Sequence, residues 1–139
     1  MNIQFYSKNE PYYEFSNLYP AEISVDGIKY PSTEYYYRAQ QFMGPNATPA
    51  DLAYAEQIRS VDTANKAWHL SKQITYVSHA GYQVSQTNKT LLNDIIKQSK
   101  KDGVNIRADW NIIKDNVMRK AIWAKFTQHQ QLRTLLINT

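Results

Sequence analysis

A chain of 139 residues, 42% of them hydrophobic and 20% charged, is long enough to bury one core, so we expect a single domain over residues 1–139. The absence of cysteine excludes disulfides, thiolate nucleophiles and thiolate metal sites. A net charge of +4 helps to hold phosphates but is too small to indicate a nucleic-acid-binding surface.

No stretch resembles a signal peptide or an apolar span of membrane length, which favours a cytoplasmic protein with no membrane partner. The three histidines, His69, His79 and His129, lack metal-ligand spacing and are expected at the surface or as helix caps. We therefore expect no metal and no cofactor. The aromatic share of 13%, with 11 tyrosines, suits ligand pockets and interfaces, although packing alone would also use it.

The N-terminal third is predicted to form a small antiparallel sheet. Residues 2–7 alternate as a short strand does, and residues 7–11 follow as a turn. Residues 21–25 alternate again, and Asp26-Gly27 is the strongest hairpin signal of the chain, with a second strand over residues 28–30. Phe15, Ser16 and Asn17 fall in a loop, where the hydroxyl and the amide bond either the backbone or a ligand.

The segment after this hairpin concentrates polar and aromatic side chains on a predicted helix. Pro31 ends the strand, Ser32 or Thr33 can cap the helix, and Glu34 lies in its first turn. Helical spacing predicts two faces. One carries Glu34, Arg38 and Gln41, and the other carries Tyr35, Ala39 and Phe42. A polar stripe beside an aromatic wall suits a sugar or a base, whereas a solvated ion pair and a tyrosine core explain the same residues.

The rest of the chain is predicted to be mainly helical. Thr48-Pro49 starts a helix toward Arg59, and Asp62 caps another through Leu70. The polar stretch 73–89 is predicted to be an insertion that forms a loop or lid, with a strand over residues 74–77.

Three more helices follow. Residues 91–100 are amphipathic, and the apolar face is assigned to Leu91, Leu92, Ile95 and Ile96. Asp109 caps the longest helix, over residues 110–126, with a core stripe of Ile113, Val117 and Ala121. Trp110 in its first turn faces either the core or a ligand. A final short helix carries Leu132, Leu135 and Leu136. These elements predict an α+β fold, helix-rich with a small N-terminal antiparallel sheet.

Several motifs occur in an order that matches a known family. The first are Phe15-Ser16-Asn17-Leu18-Tyr19-Pro20, Val25-Asp26-Gly27 and Tyr30-Pro31-Ser32-Thr33-Glu34. The later ones are Asp109-Trp110, Val117-Met118 and Lys125-Phe126. Together they resemble the NADAR (YbiA-like) domain family. Family members usually carry a histidine at Tyr35 and a lysine at Gln41, and commonly continue past the position of Thr139 with a segment containing a glutamate and a tryptophan–glycine stretch.

The resemblance implies an enzyme that cleaves N-glycosidic bonds, either of ADP-ribose on guanine bases or of phosphoribosylamino intermediates of riboflavin synthesis. It implies Glu34 as the catalytic carboxylate. The candidate substrate-binding residues are Tyr6, Phe15, Ser16, Asn17, Arg38, Gln41 and Trp110. The expected partner is a nucleotide or an ADP-ribosylated base, free or within nucleic acid. Two other hypotheses stay open: an inactive binder of ADP-ribose-like nucleotides, favoured by Gln41, and an aromatic-rich protein interaction module.

Overall fold

A computed structural model describes residues 13–74 and 86–138 of the chain. Over these residues the elements are a 3-10 turn (Tyr13–Phe15), β1 (Ile23–Val25), β2 (Ile28–Tyr30), α1 (Thr33–Gln40), α2 (Pro49–Ser60), α3 (Ala64–Lys72), α4 (Gln86–Lys101), α5 (Trp110–Gln128) and α6 (Gln130–Ile137). The predicted helix-rich α+β fold with a small antiparallel sheet is thus confirmed. No helix in the described part of the chain is long and apolar enough to span a membrane.

Several predicted features lie outside the described residues. They are the strand over residues 2–7 and the turn after it, Tyr6, His79, and residues 75–85 of the insertion predicted over 73–89. Residues 86–89 of that insertion, predicted as loop, instead begin α4, so the helix starts earlier than expected. Of the strand predicted over residues 74–77 only Ile74 is described, and it belongs to no strand.

The described chain divides into two units. The first, here the sheet unit, takes in the described residues of 1–37 and 109–139, and the second, here the helical unit, takes in the described residues of 38–108. Helix α1 runs through the boundary, because Tyr37 is the last residue of the first stretch of the sheet unit.

In the sheet unit, β1 and β2 pair antiparallel with Ile23 opposite Tyr30. Asp26 and Gly27 join them with φ angles of 53° and 80°, the left-handed pair that a type I′ turn requires, so the predicted hairpin is confirmed. Helix α5 packs on β1, and α6 packs on α5. The side chain of Gln128 pairs with the backbone of Ser24 through two bonds of 2.8 Å, one accepted and one donated, which ties the end of α5 to the hairpin edge.

The core stripe predicted for α5 is only partly buried. Ala121 is fully buried, whereas Ile113 and Val117 are half-buried. Asp109 occupies the N-cap position of α5 as predicted, but its side chain makes no capping hydrogen bond.

In the helical unit, α3 packs against both α2 and α4. Helix α2 begins with a capping box in which Thr48 Oγ1 accepts from the Asp51 N–H at 3.1 Å and the Asp51 carboxylate accepts from the Thr48 N–H at 2.9 Å. Tyr54 is buried on α2, where its hydroxyl donates to the Leu70 carbonyl at 2.5 Å and its ring contacts the Phe42 ring with 5.0 Å between centroids. Local caps and an apolar core therefore fix this unit.

Two predicted details of the helical unit are wrong. Thr63, not Asp62, caps α3, since Thr63 Oγ1 accepts from the Lys66 N–H at 3.2 Å. Asp62 instead pairs with the Lys66 ammonium at 2.6 Å. His69 is buried, not at the surface, because α3 is covered on more than one face, as its buried neighbours Leu70 and Ser71 indicate.

Helix α4 buries a narrower face than the sequence analysis assigned to it. Leu92 and Ile96 are buried with Ser99, whereas Leu91 is 57% exposed. The three buried positions lie within about 60° of one another around the helix, and Leu91 is roughly 100° from their centre. The four apolar residues thus cover a wider arc than α4 can bury.

Candidate active site

Glu34 is a buried carboxylate in the first turn of α1, with 7% of its surface exposed. Its backbone N–H donates to the Asn17 carbonyl at 3.1 Å, and the neighbouring Thr33 hydroxyl donates to the Asn17 side-chain oxygen at 2.8 Å. Asn17 therefore holds the start of the helix through both its backbone and its amide. The first turn of a helix also favours a negative charge at this position.

Ser32 lies directly before α1, in the predicted cap position, and its carbonyl accepts from the Tyr36 N–H at 3.3 Å, but its side chain does not supply the capping bond. The Thr33 hydroxyl is engaged with Asn17, and the Ser32 hydroxyl, 1% exposed, has no hydrogen-bond partner among the described residues. Asn17, which comes from a separate loop, takes the role because its carbonyl and amide oxygens both accept from residues at the helix start. A propensity argument confined to neighbouring residues does not find such a long-range cap.

The Ser16–Asn17 turn that supplies this support is itself bonded locally. Ser16 Oγ accepts from the Leu18 N–H at 3.1 Å, and the Ser16 carbonyl accepts from the Tyr19 N–H at 3.1 Å. Ser16 Oγ thus makes the backbone bond of a local turn, and its contact with a substrate stays a prediction. Phe15, which was predicted in a loop, ends the 3-10 turn and packs its ring 5.7 Å from the Phe126 ring.

Trp110 and Tyr37 form an aromatic pair in the sheet unit. Their ring centroids are 4.9 Å apart with planes inclined at 60°, and both side chains are half-buried. Tyr37 follows Glu34 by three residues in α1, a spacing that places two side chains on one side of a helix. An aromatic surface and a buried carboxylate thus occur one helical turn apart.

Lys125 is a lysine of the sheet unit that belongs to the Lys125-Phe126 motif but was not predicted as a site residue. It is 2% exposed on α5, and its ammonium donates to the Ser16 carbonyl at 2.8 Å. The signal that could have found it is its spacing, since Val117, Ala121 and Lys125 follow one another at four-residue intervals on the predicted core stripe. Burial lowers the pKa of Lys125 to about 8, against the opposing effect of the Glu14 charge.

This pKa predicts a pH dependence of stability. The unfolded chain keeps the lysine protonated up to its ordinary pKa of 10.5, so it binds more protons than the folded chain between pH 8 and 10.5. The free energy of unfolding should therefore rise with pH in that window. From pH 7 to 9.5 we expect wild type to gain about 2 kcal/mol relative to Lys125→Met, measured by urea unfolding. Equal responses of the two proteins would contradict this expectation.

Arg38 and Gln41 belong to the helical unit. Gln41 lies just past the end of α1, so the helical spacing that predicted a shared face with Glu34 stops one residue short of it. Its side chain is 3% exposed, and its backbone carbonyl accepts from the Arg107 N–H at 2.8 Å. Within residues 13–74 and 86–138, its Oε1 has no hydrogen-bond partner. The assignment of Glu34, Gln41, Asn17 and Trp110 to one substrate site predicts that they converge on one surface, and this stays a prediction.

A cleft of about 430 Å³ lies in the helical unit, between α2 and α4. Its polar lining residues include Tyr54 and Ser99, whose hydroxyls already donate to the Leu70 and Ile96 carbonyls. None of the predicted site residues that the structure describes lines it. The carboxylates of Asp94 and Asp102 also line the cleft.

Comparison with known proteins assigns the chain to a family. Residues 4–139 match the NADAR domain, which covers nearly the whole chain. The chain therefore belongs to the NADAR domain family, and the resemblance drawn from its motifs is confirmed.

Individual relatives agree with this assignment. The chain is 33% identical to N-glycosidase YbiA of Escherichia coli K12 over 99% of its own length and 64% of the relative. It is 27% identical to N-glycosidase Npun_R5314 of Nostoc punctiforme, over 100% of its own length and 69% of the relative. The NMR structure of E. coli YbiA matches with a TM-score of 0.62 at 30% identity, over 96% of this chain and 59% of that one. The chain thus spans slightly less than two thirds of the YbiA proteins.

Proposed function

We propose that this chain is an N-glycosidase-type enzyme that acts on an ADP-ribosyl or phosphoribosylamino N-glycosidic bond, free or within nucleic acid. The observation that carries the proposal is the buried carboxylate of Glu34, held by Asn17 at the start of α1. Family membership and the names of the relatives support the general class of reaction.

Hydrolysis of such a bond breaks C1–N of the ribose and forms C1–O with water. The bonding electrons leave with the base nitrogen, which takes a proton, and positive charge builds on the ribose ring in the transition state. A carboxylate beside the anomeric carbon stabilises that charge or takes the proton of the attacking water. Glu34 has this role in the proposal, and its burial would strengthen the interaction because little water screens it.

The base and the phosphates need separate contacts. The Tyr37–Trp110 pair offers an aromatic face to a base, in the same unit as Glu34. Arg38 is proposed for phosphate, because a guanidinium binds phosphate oxygens through two parallel hydrogen bonds.

The test is a turnover and binding assay on purified protein. ADP-ribosylated guanosine and a phosphoribosylamino compound are incubated with the chain, and released base is quantified by chromatography. Binding of ADP-ribose is measured in parallel by calorimetry. Release of base supports the enzyme, and binding of ADP-ribose without release supports an inactive binder. If the chain neither releases base nor binds ADP-ribose, the interaction module is the hypothesis that stands.

The inactive binder is the second candidate, and Gln41 is the observation that favours it. The family resemblance puts a lysine at this position, where an amine could attack a ring-opened sugar or pair with a phosphate. Glutamine can do neither. The buried Gln41 Oε1, which has no partner in the part of the chain that the structure describes, could instead accept from a ligand hydroxyl.

Gln41→Lys separates the two candidates. If the missing lysine alone prevents turnover, this variant should release base where wild type only binds ADP-ribose. If Glu34 alone is enough for catalysis, wild type already releases base. The added lysine should then change the rate less than about tenfold, because the reaction has no step that uses it. Gln40→Lys, a neighbouring half-buried glutamine, is the matched control for charge. Restored turnover in both variants would count against a specific role for position 41.

A further inference from the structure

The ammonium of Lys125 lies in aromatic surroundings with one hydrogen-bond acceptor among the described residues. Its Nζ is 5.6 Å from the centroid of the Tyr19 ring and 5.7 Å from that of the Phe126 ring, within cation–π range. The acceptor is the carbonyl of Ser16, at 2.8 Å. A methionine would fill a similar volume without burying a charge, so packing alone does not explain a lysine here.

Hydrogen bonds connect this ammonium to the candidate catalytic carboxylate within the sheet unit. Lys125 holds the carbonyl of Ser16, and the next residue, Asn17, accepts from the Glu34 N–H and the Thr33 hydroxyl. Two consecutive residues of one turn thus contact α5 on one side and the start of α1 on the other. A shift of the turn would move the helix start that carries Glu34.

We propose that Lys125 is a positioning residue for Glu34, acting through the Ser16–Asn17 turn. The inference deepens the proposed function and rests on it for its catalytic consequence, while its structural part is independent of any turnover. Placement matters because a displacement of about 1 Å in a catalytic group can slow a reaction roughly a hundredfold.

Two other ionisable groups face the ammonium. The negative charge of Glu14, in the 3-10 turn, favours the protonated form of Lys125, and the Tyr19 ring lies beside the ammonium. Both residues belong to the segment that Lys125 contacts, so protonation of the lysine should change the environment of the backbone amides in that segment.

The first experiment compares Lys125→Met with Lys120→Met. Lys120 lies on the same helix but is exposed, with its ammonium 3.3 Å from the Asp26 carboxylate. For Lys125→Met we expect kcat to fall roughly 10- to 100-fold with KM within about threefold, because the carboxylate is displaced while the proposed contacts of Tyr37, Trp110 and Arg38 with base and phosphate remain. Lys120→Met should match wild type. A Lys125→Met variant that is folded and as active as wild type overturns the inference.

The second experiment needs neither activity nor a variant. In the unaltered chain, the amide resonances of Leu18, Tyr19 and Glu34 should shift as Lys125 titrates, with the same midpoint as the Lys125 side-chain resonance. The pKa of about 8 places this midpoint in an accessible range. If the amide resonances do not shift at the Lys125 midpoint, the proposal is overturned. If wild type releases no base, the proposed function fails, and these amide shifts alone decide whether Lys125 positions the turn.

Discussion

Replacement of Glu34 by glutamine is expected to slow base release by roughly 10²- to 10⁴-fold, the range that loss of a positioned acid–base group usually produces. The exchange keeps the shape of the side chain and removes its charge. Affinity for ADP-ribose, measured by calorimetry, should therefore stay within about threefold of that of wild type. Because the carboxylate interacts most strongly with the charged transition state, the decrease in rate should appear in kcat.

Glu22→Gln is the matched control, since Glu22 is an exposed glutamate beside β1 in the same unit. It should leave both turnover and binding unchanged. Circular dichroism and urea unfolding of all three proteins separate loss of chemistry from loss of fold. A Glu34→Gln variant that turns over like wild type would show that the carboxylate takes no part in catalysis, and the proposed function would lose its main support.

The hairpin and most helices could be predicted from the sequence because their signals are local. Asp26-Gly27 specifies its turn through the backbone angles that these two residues tolerate, and Thr48-Pro49 specifies the start of α2. Exposure was less predictable. The sequence assigned Leu91 to a buried face and His69 to the surface or a cap, yet Leu91 is 57% exposed and His69 is buried. Only the packing of other elements decides which of them is covered.

The site was predictable only in part, for the same reason. Glu34 and Trp110 follow from motifs, but the contact between Tyr37 and Trp110 joins residues that are far apart in the chain. The support that Asn17 gives to α1, and the bond from Lys125 to Ser16, are likewise long-range. A lysine on a core stripe was visible in the sequence, whereas its acceptor was not.

The aromatic pair leads to a second large expected effect. If Trp110 contacts the base of the substrate, Trp110→Ala should weaken binding of ADP-ribosylated guanosine by roughly 10- to 100-fold, since stacking on one base is worth about 1–3 kcal/mol. Trp110→Phe keeps a ring against Tyr37 and should lose less than about fivefold, because most of the stacking face remains.

Trp123→Ala is the control, because Trp123 lies on the same helix and is 73% exposed. Calorimetry with the same ligand measures all three variants, and urea unfolding reports the packing lost from the half-buried Trp110. The order of affinities should be wild type and Trp123→Ala, then Trp110→Phe, then Trp110→Ala. Equal affinities for the two Trp110 variants would mean that the ring makes no stacking contact, and an affinity of Trp110→Ala equal to that of wild type would place the base elsewhere. In either case Tyr37 and Trp110 would be a packing pair of the sheet unit, and the carboxylate of Glu34 would have to act beside a base held by other residues.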